Sequence, residues 1–160
     1  MRPINYIILH CSGTRASRNF SGDDIDRCHR LRGFSRAGYH YYVRKNGTIE
    51  KMRPEDMPGA HCYGHNKDSI GVCYEGGLDE NGHPGDTRTP AQKRSLREIV
   101  RALKQDYPQA KIVGHRDLSP DLNRNGIIEP HERLKECPCF DATDEYADVE
   151  LLPQGYSGNL

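Results

Sequence analysis

Residues 38–52 read GYHYYVRKNGTIEKM, and the class of fold turns on them. An aromatic and β-branched run, Tyr41 to Val43, is followed by Asn46-Gly47 and then by a second run around Ile49. Asn-Gly between two such runs is a strong short-range sign of a hairpin, because both residues tolerate the positive φ of a tight connection. A hairpin is antiparallel, and the segments around it have a different character. Residues 4–9 (INYIIL), 69–76 (SIGVCYEG) and 111–115 (KIVGH) are short, mostly apolar runs, as expected of buried strands.

Helical segments lie between them. SGDDIDRCHRLRG, residues 21–33, opens with Ser21 and Asp24 spaced as a capping box and carries Ile25, Cys28 and Leu31 at helical spacing. TPAQKRSLREIVRALKQDY, residues 89–107, is the clearest helix. Thr89 caps it, Pro90 takes the first helical position, Gln92 completes the box, and Leu96, Ile99, Val100 and Leu103 form one apolar stripe. Strands alternating with helices, with a hairpin inserted, predict an α/β fold: a single domain with a central mixed β-sheet flanked by α-helices. The domain is expected over residues 1–145, with 146–160 as a C-terminal tail.

The chain has 160 residues, enough for one core without staples. Lys+Arg and Asp+Glu both number 23, so no basic surplus points to nucleic acid, which is not an expected partner. No apolar run approaches the roughly 20 residues of a membrane span, so no transmembrane segment is expected. The run Tyr6–Leu9 is too short for a signal-peptide core. Synthesis in the cytoplasm without a signal peptide follows as the expectation, with any outward passage needing release or assisted export. Oligomeric state is not legible. Cysteines stand at 11, 28, 62, 73, 137 and 139. Without a secretory signal they are expected to be free thiols, with Cys28 and Cys73 as small core residues and Cys11 and Cys62 each following a histidine.

His10 and His115 each end an expected strand, where sheet proteins often place chemistry. Catalytic zinc sites use three protein ligands and leave the fourth position to water. One thiolate of KECPCFD, residues 135–141, would complete such a set. Spacing does not choose between Cys137 and Cys139, since residues two apart on an extended chain share a face. By the same alternation Lys135 shares the face of Cys137. A second metal candidate is DLNRNGIIEPHE, residues 121–132. Asp121, Asn123, Asn125, Gly126 and Glu132 occupy the diagnostic positions of an EF-hand calcium loop, and Ile127 falls where a backbone carbonyl coordinates. Two neutral Asn ligands would weaken such a site, and an Asn/Gly-rich surface loop makes the same turn without metal. Calcium is therefore a second candidate cofactor, in a loop between His115 and Cys137.

ILHCSGT, GYHYYVRKNGTIEKMRP, GAHCYGHNKDSIGVCYEGG, TPAQKRSL, IVGHRDLSP and KECPCFD occur in this order. Together, over about residues 4–141, they resemble the zinc-dependent N-acetylmuramoyl-L-alanine amidases, which include the amidase-type phage lysozymes and the peptidoglycan recognition proteins. The resemblance implies the fold of that family and a zinc ion on His10, His115 and Cys137. Its Cys-Pro-small-Phe pattern selects Cys137 and leaves Cys139 in the small-residue place. It implies catalytic roles for Tyr39 and Lys135 and substrate-binding roles for His61 and Asn66. The implied reaction is hydrolysis of the amide between N-acetylmuramic acid and L-alanine of the stem peptide, with bacterial peptidoglycan as the partner and the cell wall as the place of action. His40 is expected to be a satisfied buried histidine, and His29, His65, His83 and His131 to stand outside catalysis. Three rivals carry less. A recognition module without activity typically lacks the zinc cysteine, a polymerase-binding regulator has no supporting motif or charge, and a CPC redox protein lacks a thioredoxin-like context.

Overall fold

The computed structural model describes residues 2–120, 122–126, 128, 131, 133 and 135–151. Its main sheet has five strands: β1 (Tyr6–Cys11), β3 (Tyr41–Val43), β4 (Ile49–Lys51), β5 (Ser69–Tyr74) and β7 (Lys111–Gly114). They lie in the order β4-β3-β5-β1-β7. β1 runs parallel to both β5 and β7, β3 runs parallel to β5, and β4 alone is antiparallel, through the hairpin with β3. The sheet is mixed, as expected. Two short strands absent from the sequence reading, β2 (Thr14–Arg15) and β6 (Gly77–Leu78), pair in parallel beside it. Two residues per strand leave no period to read.

Alternation along the strands sorts the two faces. Ile7, Leu9 and Cys11 of β1, Ile70, Val72 and Tyr74 of β5, and Ile112 of β7 face one core. That core is covered by α2 (Pro90–Asp106) through Leu96, Val100 and Leu103. Two one-turn helices that carried no clear sequence signal join it: α3 (Ala142–Glu145) and α4 (Ala147–Glu150), which flank Tyr146. Tyr146 and Val149 are fully buried there, so packed chain continues past residue 145. Of residues 146–160, expected as a C-terminal tail, 146–151 are described, and Leu151 at their end is exposed. The opposite face carries a smaller cluster of Phe20, Ile25, Ala37, Tyr42 and Cys73 under α1 (Gly22–Leu31).

Both capping boxes form as read. The Ser21 side chain accepts from the Asp24 N–H, and Thr89 accepts from the Gln92 N–H. One expectation for α1 fails: Cys28 is exposed, as is Leu31 at 82%. Steps of three residues fall about 60° short of a full turn, so Ile25, Cys28 and Leu31 wind away from the buried side. The inward residues are Gly22, Ile25 and His29. Cys73 is fully buried, and all six cysteines are free thiols.

Candidate active site

The parallel register between β1 and β7 builds the centre of the site. Leu9 lies opposite Gly114, so the next residues, His10 and His115, emerge side by side at the carboxyl ends of adjacent strands. Their ring centroids are 4.6 Å apart. Alternation turns His10 to the α1 face, away from Leu9 and Cys11. His115 opens a 3-10 turn to Leu118, whose start is tied down where the Gly114 N–H donates to the Asp117 carboxylate at 2.7 Å.

The CPC segment is drawn to the same place by three contacts. The Arg116 N–H donates to the Cys137 carbonyl at 2.9 Å, the Tyr74 hydroxyl to the Pro138 carbonyl at 2.6 Å, and the Cys11 N–H to the Cys137 sulfur at 3.2 Å. The Cys137–Pro138 bond is cis. Gly114 lacks a side chain where one is forbidden: a Cβ there would lie 2.7 Å from Pro138 Cδ. The two sulfurs then part company. Cys137 lines the cleft, while Cys139 adopts φ 69° and turns to the Gly77 carbonyl at 3.4 Å, with Cys11 Sγ at 4.0 Å. The hydrogen bond with Cys137, and then burial, push Cys11 up to about 12, and its contact with Cys11 and burial raise Cys139 as well, so both remain protonated thiols.

One ligand atom from each of His10, His115 and Cys137 lies within 4.8 Å of the others. His10 Nδ1 stands 3.9 Å from Cys137 Sγ. Zinc–nitrogen and zinc–sulfur bonds of about 2.0 and 2.3 Å at a tetrahedral angle put those atoms about 3.5 Å apart, so the donor set fits a single ion with little movement. Burial, then the nearby His61 and His115, hold His10 well below the usual histidine range, in the neutral form that a metal requires.

The cluster forms the floor of a cleft of about 790 Å³, and every site residue expected from the sequence outside the calcium loop lines that cleft. Tyr39 stacks obliquely on His10 at 5.1 Å. Its phenol is held well above the usual tyrosine range by burial and by the thiols of Cys73, Cys137 and Cys11, so it stays protonated and can donate. Lys135 is exposed at the rim. His61 Nδ1 lies 2.8 Å from His10 Nε2. Asn66 accepts the His61 and Cys62 N–H groups at 2.9 and 3.0 Å, which fixes the loop carrying His61. His40 faces away: its Nδ1 accepts from the Gly71 N–H at 3.0 Å, and its Nε2–H then reaches the Met57 carbonyl at 2.8 Å. Of the calcium loop, Asp121, Ile127 and Glu132 lie outside the described residues, and nothing among the described residues supports a calcium site there.

His29, expected to stand outside catalysis, also lines the cleft. His29 packs on Tyr39 at 5.4 Å and accepts the Gly38 N–H on Nδ1 at 2.7 Å, which leaves Nε2 to carry the proton. The available signal was its place four residues after Ile25, on the inward side of α1.

An open sheet with two imidazoles and a thiol converging at its strand ends, beneath a cleft walled by a phenol and an amine, is suited to metal-assisted hydrolysis. Comparison with known proteins makes the class specific: residues 1–139 match the N-acetylmuramoyl-L-alanine amidase family, and the chain belongs to that family. It is 36% identical over 146 residues to the endolysin of Klebsiella phage KP32, covering 91% of this chain and 87% of that one. Among solved structures it superposes on the N-acetylmuramoyl-L-alanine amidase LysC from Clostridium intestinale URNW with a TM-score of 0.72 at 30% identity, covering 94% and 88% of the two chains. Bumblebee PGRP-SA shares the fold at 18% identity, with a TM-score of 0.69 and coverage of 96% and 87%.

Proposed function

We propose that this chain is a zinc-dependent endolysin-type amidase that hydrolyses the amide between N-acetylmuramic acid and the L-alanine of the stem peptide in bacterial peptidoglycan. The observation that carries this reading is the convergence of His10, His115 and Cys137 at the floor of the cleft that also holds Tyr39 and Lys135. Zinc bound there would supply a water of pKa near 7 and polarise the scissile carbonyl.

The protein's own groups perform the rest. An amide carbonyl becomes an oxyanion in the tetrahedral intermediate, and that charge needs fixed donors. The Tyr39 hydroxyl keeps its proton and hydrogen-bonds the oxygen that gains charge, or passes a proton toward the departing alanine nitrogen. The Lys135 ammonium offsets the same charge from the rim. Cys139 takes no part, since its thiol is turned toward Gly77. The wall is reached after release from the cell that makes the protein, as befits an endolysin; among the described residues no helix is long and apolar enough to cross a membrane.

Digestion of purified sacculi tests the reaction. The expected products are new L-alanine amino ends and glycan strands that keep free lactyl groups. Release of reducing sugar ends without alanine amines would make the protein a glycosidase and overturn the assignment.

A further inference from the structure

The family resemblance assigns His61 to the substrate, but its contacts are of another kind. His61 Nδ1 is 2.8 Å from His10 Nε2, the rings meet edge to face at 4.8 Å, and His61 Nε2 is 3.3 Å from the Ser69 hydroxyl. Both ring nitrogens are therefore engaged inside the protein. The ring is also seated by backbone: a Cβ on Gly71 would lie 2.7 Å from its Cδ2, and a Cβ on Gly59 would collide with the same atom. The His61 N–H is fixed by Asn66 Oδ1.

We infer that His61 is a positioning residue for the metal, whose imidazole fixes the tautomer and the orientation of His10. The inference rests on the zinc reading above. His10 turns Nδ1 toward Cys137, and a nitrogen that binds a metal carries no proton. The His10 proton therefore sits on Nε2 and is donated to His61 Nδ1. That leaves the His61 proton on Nε2, donated to Ser69, which is fully buried in β5. The order of donors along His10, His61 and Ser69 then has one direction and admits one tautomer at each ring. Metal-bound histidines commonly donate their second N–H to an outer partner, and loss of that partner typically costs 10- to 100-fold in metal affinity. Here the partner is a second imidazole wedged between two glycines.

The test is zinc affinity, measured by competition with a chromophoric chelator on the purified protein and three variants. His61→Ala removes the acceptor. His61→Phe removes it too but keeps a ring of similar size between Gly59 and Gly71, which covers the case where the alanine variant does not fold. His61→Asn keeps an acceptor, Oδ1, in the place of Nδ1. The expected result is an affinity 10- to 100-fold weaker for Ala and Phe, with most of the loss restored by Asn. Unchanged affinity in the Phe variant, accompanied by a raised KM, would return His61 to the substrate and overturn the inference. Equal weakening in Phe and Asn would overturn it as well, by showing that the hydrogen bond is not what matters. A native protein that takes up no zinc at all is a different result and would remove the zinc reading itself.

Discussion

Tyr39 lies between His29 and His10, with ring centroids 5.4 and 5.1 Å away, and buried surroundings keep the proton on its oxygen. Tyr39→Phe removes that donor and little else, so the variant should keep its zinc and lose on the order of a hundredfold in kcat. Lys135→Ala should behave alike, and full turnover of sacculi by either variant would remove that residue from the mechanism. His40 gives a pH prediction. Burial depresses it from 6.5 to about 4, so the folded ring stays neutral where the unfolded one already binds a proton. The stability it supports is present above about pH 6.5 and is lost as pH falls toward about 4, at up to about 1.4 kcal/mol per pH unit. Chemical denaturation of the chelated protein between pH 7 and 5 should show at least that slope, since His10, also held below the usual histidine range by burial, adds its own share once zinc is removed. His40→Asn, which still offers an oxygen to the Gly71 N–H, should reduce it.

At the scale of elements, the turn from β7 into the 3-10 segment positions His115 in the candidate metal site. Gly114 faces Pro138, so Gly114→Ala must push the CPC segment away and carry Cys137 with it. Weaker zinc binding in a protein that still folds is the expected result, read by the same chelator competition. Thr89 joins α2 to the hairpin: it accepts from the Gln92 N–H and donates to the Lys45 carbonyl at 2.6 Å. Thr89→Ala should cost about 1–2 kcal/mol in unfolding free energy. Elements with strong local codes were legible in the sequence. The Asn46-Gly47 hairpin, both capping boxes and the stripe of α2 each carry their own signal. The buried side of α1 was not legible, because a histidine and a glycine took places that the apolar pattern gave to Cys28 and Leu31. His29 stands one helical step after Ile25, but what holds it inward is the hydrogen bond it accepts from the Gly38 N–H, nine residues on, which an apolar pattern does not record.

Across the whole molecule, the candidate ligands come from three distant parts of the chain, at positions 10, 115 and 137. Their convergence depends on the parallel pairing of β1 with β7 and on the folding back of the CPC segment. Neither is a local property, which is why the histidines were legible as strand ends while their meeting, and the choice of Cys137 over Cys139, needed a family pattern or a structure. An ion shared by such remote residues binds the folded chain alone. Free zinc a thousandfold above Kd should add about 4 kcal/mol of stability. For a chain of this size that raises Tm on the order of 10 °C, and a melting curve that chelator leaves unmoved would contradict it. The most direct measurement is the X-ray absorption spectrum of the purified protein at the zinc edge. The expected first shell is one sulfur at about 2.3 Å, two imidazole nitrogens at about 2.0 Å and one further light atom. Two sulfurs, none, or a protein free of zinc would contradict it.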